Sequence, residues 1–102
     1  MSAEVPPDAQ SAVLRLYVAG DTPGAGRARR SRLDLIEALH GKVAIEVVDI
    51  IDRPDEAEKA GILATPTLSD ESVVPPRRLV GDISDVARVL EYFGYLKKDS
   101  AA

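Results

Sequence analysis

Residues 62–68 read Ile-Leu-Ala-Thr-Pro-Thr-Leu, and this short stretch constrains the fold more than any other part of the chain. Pro66 has no backbone N–H, so it is excluded from the middle of a central strand but can open one. Thr65–Pro66 is also the one bond in the segment with an accessible cis state, which lets the backbone turn sharply there. The segment is therefore expected to enter a strand at Thr67 and Leu68 through a tight bend, with Thr65 and Pro66 as a structural pivot.

The flanking residues supply the other elements. Val13–Val18 is an apolar strand with one alternating Arg. Residues 19–26, with three glycines and a proline, read as a loop. Residues 27–39 are helical, with Ala28, Leu35 and Leu39 on one face, Ile36 beside it and Gly41 as the stop. The near-continuous Val/Ile run at residues 43–51 reads as a parallel central strand buried on both faces. Pro54–Ala60 makes a short helix with Asp52 as N-cap, acidic residues near its positive end and Gly61 closing it. Residues 69–72 read as a polar turn. Arg77–Val80 returns as a fourth strand, Gly81 breaks it, and Ser84 caps a last helix over residues 85–97. Val86, Val89, Leu90, Phe93 and Leu96 form that helix's apolar face. The expected order is βαβαββα, with two βα units paired in parallel and a closing antiparallel hairpin, in one domain spanning residues 12–97. Residues 1–11 and 98–102 are expected to be disordered tails.

Composition narrows the chemistry. The chain has 102 residues, no cysteine and a net charge of −4, and aromatics are only 4%, so Val, Ile, Leu and Ala must build the core. Without cysteine there is no disulfide, no thiolate metal site and no thiol catalysis. The acidic balance, and basic residues without interleaved aromatics, argue against a nucleic-acid partner. No signal-peptide pattern opens the chain and no apolar run reaches a membrane span, so a cytoplasmic location away from membranes is expected. Gly24-Ala25-Gly26 has the place of a dinucleotide loop, but Arg29 occupies the third glycine position, so a plain loop is the better reading. His40, the only histidine, is expected at a helix C-terminus and has no cysteine to activate. The acidic run Asp49, Asp52, Asp55, Glu56 and Glu58 lacks metal-loop spacing and reads as solvated. Arg27, Arg29, Arg30 and Arg32 crowd the start of a helix, where positive charge is unfavourable. Asp34 and Glu37 can pair with Arg30 and its neighbours, while arginine also favours protein interfaces. No catalytic residue, cofactor or metal is assigned.

The element order, with a proline opening the third strand, resembles the thioredoxin-like fold, in which a cis-proline (here Pro66) stands beside an active site just after the first strand. That position here holds Asp21 to Gly26. The motifs are also similar to those of a narrower family. Leu14 to Pro23 (LRLYVAGDTP), Val47 to Ile50 (VVDI), Ile62 to Leu68 (ILATPTL) and Arg77 to Ser84 (RRLVGDIS) resemble the KaiB family of circadian clock proteins, ungapped from about Val13 to Leu96. The resemblance implies a thioredoxin-like α/β sandwich or, as the alternative state of a metamorphic protein, the order βαββααβ. It implies a non-enzymatic regulator of biological rhythm or stress response that binds a KaiC-type hexameric ATPase, with tetramer or dimer self-association in its other state. Docking is then expected on the second strand at Val43, Ala44 and Glu46, with Arg27 and Arg30 of the first helix. Glu46 stands where the family usually has lysine, Arg29 and Arg32 where it has leucines, and Tyr92 and Gly94 where it has a glycine and an acidic residue. The alternatives are an adaptor of a sensor histidine kinase, and a glutathione-binding enzyme that uses the Thr65–Pro66 loop.

Overall fold

The computed structural model describes residues 13–96, and the expected tails, residues 1–11 and 98–102, lie outside the described residues. The elements are β1 (Val13–Val18), α1 (Pro23–Ala38), β2 (Ala44–Asp49), α2 (Pro54–Ala60), β3 (Thr67–Asp70), β4 (Arg77–Val80) and α3 (Val86–Tyr92). The expected βαβαββα order is met, and the strands form one sheet in the order β2-β1-β3-β4.

Strand β1 runs parallel to β2, and β1–β3 and β3–β4 are antiparallel. Only the first βα unit therefore returns in parallel, contrary to the expected two. Helix α2 has seven residues, about 10 Å of rise, against about 20 Å for a six-residue strand such as β2, so it cannot carry the chain back to the strand's start. Strand β2 is also an edge strand rather than a central one. Its apolar run serves two layers: Ile45 is buried in the core on the side of α1, and Val48 is buried on the opposite face.

Alternation along β1 sorts the molecule. Leu14, Leu16 and Val18 face Ala25, Ala28 and Leu35 of α1, Val89 of α3 and Phe93 just past it, with Val43, Ile45, Leu68 and Ile83 completing the core. Arg15 and Tyr17 point the other way, toward α2, whose Glu56 reaches Arg15.

Several boundaries move for local reasons. Residues 23–26 are helical rather than loop, because Thr22 caps α1 by accepting the Ala25 N–H (3.1 Å) and Pro23, lacking a donor, suits the first turn. Asp52 does not cap α2. Its own N–H is tied to the Asp49 carbonyl (3.1 Å), leaving Arg53 at the cap without a side-chain bond. Ser69 and Asp70 belong to β3 rather than to a turn, with Ser69 fully buried and its hydroxyl accepting from Arg78 Nε (3.1 Å). Asp85, not Ser84, caps α3 by accepting the Arg88 N–H. That helix stops at Tyr92, short of residue 97, because Gly94 adopts a left-handed φ of 84°. The Thr65–Pro66 and Val74–Pro75 peptides are cis.

The turn after β1 is held by Asp49, which accepts the N–H groups of Gly20 (2.9 Å) and Ile51 (3.0 Å). These two donors, with Arg29 adding, hold its carboxyl below the ordinary aspartate range. Two outcomes are expected. Leu68→Ala, in the fully buried centre of β3, should lower unfolding stability by roughly 2–5 kcal/mol in a urea titration. Asp49→Asn should lower the urea midpoint at neutral pH, and the gap should close on acidification. A depressed folded-state pKa contributes stability above the unfolded-state value, and that contribution is lost as pH falls through the folded-state value. A gap independent of pH would show that the charge of Asp49 is irrelevant.

Candidate partner-binding surfaces

Between the first turns of α1 and the segment after β4 lies a crevice of about 190 Å³, lined by Gly24, Arg27, Ser31, Pro66, Gly81 and Asp82. Thr67 fixes the bend at Pro66 by donating its hydroxyl to the Ala64 carbonyl (2.7 Å). The Pro66 carbonyl in turn accepts the Gly81 N–H (2.9 Å). Ser84, through its hydroxyl first and its N–H second, holds the Asp82 carboxyl below the usual range, so Asp82 is ionised at neutral pH. The only histidine, His40, lies past the opposite end of α1 with a φ of 54°. The crevice thus brings together the Ser31 hydroxyl, the Asp82 carboxylate and the Arg27 guanidinium.

Gly24 and Gly26 lie inside α1 and do not form a phosphate-binding loop. Of the acidic run, Asp49 clamps the turn and Glu56 pairs with Arg15. Among the described residues no cluster has the makings of a metal site.

Arg27 and Arg30 are exposed on α1 and border an open groove of about 410 Å³ with Ser31, Leu33, Asp34 and Ser84. Neither forms an ion pair among the described residues, and the helical pairing of Arg30 with Asp34 or Glu37 is not made there. Val43 is buried, while Ala44 is exposed. Glu46 faces the α2 side, with one carboxylate oxygen 3.3 Å from Arg15 and the other 3.8 Å from Arg53. The expected docking residues therefore divide between the two faces of the sheet. What links α1 to β2 is Arg32, whose Nε donates to the Ile45 carbonyl (2.6 Å), and Arg29, 3.7 Å from Asp49.

The α2-side face carries a charge row that the sequence pattern does not reveal. Register sets Glu46, Arg15, Ser69 and Arg78 side by side across all four strands. Arg15 also meets Glu56 (3.3 Å) and Glu71 (3.8 Å), and Glu71 accepts the Tyr17 hydroxyl (2.8 Å) and pairs with Arg78 (3.4 Å). Burial pushes the Tyr17 hydroxyl up, with Arg15 opposing and Glu71 reinforcing the shift. The one legible sign of this row is Arg15, a lone charge in an apolar strand. Its partners are 31 to 63 residues further along the chain and become neighbours only in the folded sheet.

Comparison with known proteins places this geometry. The KaiB domain model matches residues 15–94. The circadian clock oscillator protein KaiB of Prochlorococcus marinus (strain MIT 9303) is 46% identical over 79 residues, which span 76% of this chain and 66% of that protein. KaiB of Synechococcus elongatus (strain PCC 7942) is 43% identical over 79 residues, spanning 76% and 78%. Two solved structures share the fold at low identity. One is chloroplastic thioredoxin z, with a TM-score of 0.69 and 20% identity over 82% of this chain and 76% of that one. The other is the N-terminal domain of Synechococcus elongatus SasA, with a TM-score of 0.68 and 18% identity over 96% and 95%. The fold is thioredoxin-like, without the cysteines, and the chain belongs to the KaiB family.

Proposed function

We propose that this protein is a non-enzymatic regulator, in a clock or stress response, that works by docking on a KaiC-type hexameric ATPase. The observation that carries this reading is the family match across nearly the whole described fold. The geometry supports it: where thioredoxins carry a thiol pair, this chain has a helix start flanked by ionised and hydroxyl side chains. Recognition, not bond making, is what such a surface supplies.

In this reading Arg27 and Arg30 are the direct contacts, because both are exposed and free of internal ion pairs among the described residues. Strand β2 contributes Ala44 and its outer edge, which pairs with no other strand among the described residues, and Val43 supports that edge from the core. Glu46 acts through its ties to Arg15 and Arg53, which cancel much of the reversed charge it presents. A second packing, βαββααβ, belongs to the same proposal, with Thr65 and Pro66 at its boundary. The part that would refold is lightly held: β4 has four residues on the sheet edge, and α3 has seven with only Val89 buried.

The test is co-sedimentation of the purified chain with a KaiC-type ATPase under ATP and under ADP. A complex is expected with at least one nucleotide at micromolar protein. The double variant Arg27→Ala, Arg30→Ala should weaken it by about tenfold or more, as truncation of interface arginines does. No complex under either nucleotide would overturn the proposal.

A further inference from the structure

The edge of the sheet formed by β4 has a different character from the surfaces above. Among the described residues, strand β4 pairs only with β3, in the register Thr67 with Val80 and Ser69 with Arg78. One step beyond this register, Gly81 donates its N–H to the Pro66 carbonyl (2.9 Å). In an antiparallel ladder hydrogen-bonded pairs alternate. Gly81, Leu79 and Arg77 therefore turn their backbone groups toward β3, while Arg78 and Val80 turn theirs outward. The Tyr92 hydroxyl confirms the direction, since it reaches the Arg78 carbonyl from outside the sheet (2.5 Å). Both backbone groups of Val80 and the N–H of Arg78 have no partner strand among the described residues.

Beside these groups lies an apolar groove of about 170 Å³, bordered by Ile62, Leu63, Ala64 and Val80. Leu63 is 96% exposed and Val80 60% exposed. The groove is comparable to the roughly 150 Å³ that accommodates a benzene ring. Arg77 is exposed on the same strand and forms no ion pair among the described residues, its guanidinium meeting only the Tyr92 carbonyl at 3.5 Å. An edge with no partner strand among the described residues, an apolar slot beside it, and Arg77, which has Asp70 opposite it in the register but no ion pair among the described residues, are the features that strand addition uses.

We infer that β4 docks an acidic, extended segment of another protein. The segment adds as a fifth strand, places an apolar side chain against Leu63 and Val80, and sets a carboxylate near Arg77. Charge decides between occupants. In a two-fold antiparallel pair about Leu79, a second copy would set Gly81 opposite Arg77 and Val80 opposite Arg78, and so would bring no carboxylate to Arg77. An acidic segment pairs with it instead. Tyr92 limits the reach of the added strand, because its hydroxyl already holds the Arg78 carbonyl.

The probe is a synthetic six-residue peptide of alternating Glu and Val, titrated into the full chain and followed by amide NMR shifts. Saturable shifts at Arg78, Val80 and the Leu63 loop are expected at millimolar peptide, weakening as salt is raised. Leu63→Asp, at a fully exposed position, should abolish them. Val80→Pro should also abolish them, since it removes an outward N–H and spares the bonds to β3. Tyr92→Phe should tighten binding roughly two- to tenfold by freeing one carbonyl for the ladder. The inference is overturned if shifts are absent, if they fall on β2, or if a peptide with Lys in place of Glu binds equally well. It is overturned as well if the chain alone forms a dimer that Val80→Pro dissolves, which would make a second copy the occupant.

Discussion

Strand β1 is the element on which the rest depends. It is paired on both edges, parallel to β2 and antiparallel to β3, and its side chains alternate between two very different environments. Leu14, Leu16 and Val18 form the apolar layer that holds α1 and α3. Arg15 and Tyr17 anchor a polar layer that ties α2, β3 and β4 to the opposite face. A one-residue slip of β1 would bury Arg15 under α1 and expose its leucines, so register is specified by burial on both sides. The four-stranded order and the placement of each helix follow from that alternation.

The same scaffold shapes the region after β1, where the proposed docking residues of α1 lie. Asp49 and Thr22 shape the approach to α1 so that its first turn meets Pro66 and Gly81. In a thioredoxin that geometry presents thiols. Here the helix presents arginines in two sets. Arg29 and Arg32 face β2 and bind α1 to it, and Arg27 and Arg30 face outward. The crowding of four arginines at a helix start thus has two physical reasons, one internal and one directed at solvent.

Much of this was legible in the chain. The element order, β1, β4, α2 and the bend at Pro66 follow from apolar runs punctuated by Gly and Pro. The strands that differ from expectation share a cause, because their partners are distant. Ser69 and Asp70 have the composition of a turn, and become strand because β1 and β4 close on either side and Arg78 satisfies the buried Ser69 hydroxyl. The Val/Ile run of β2 has the composition of a central strand, yet the strand lies at an edge, and the run is apolar because its two faces are covered by different layers. Asp52 and Ser84 have good capping side chains, but neighbouring turns place Arg53 and Asp85 at the caps.

The amino-acid order by itself determined the family, the βαβαββα succession and the absence of thiol chemistry, since these depend on residue type, local periodicity and short motifs. The tertiary structure alone decided which residues share a surface. It divided Arg27 and Arg30 from Glu46, drew Glu46, Arg15, Glu71 and Arg78 into one row, and set β4 at the edge of the sheet. Those outcomes depend on strand order and register, which are set by long-range packing between faces and not by any local signal along the chain.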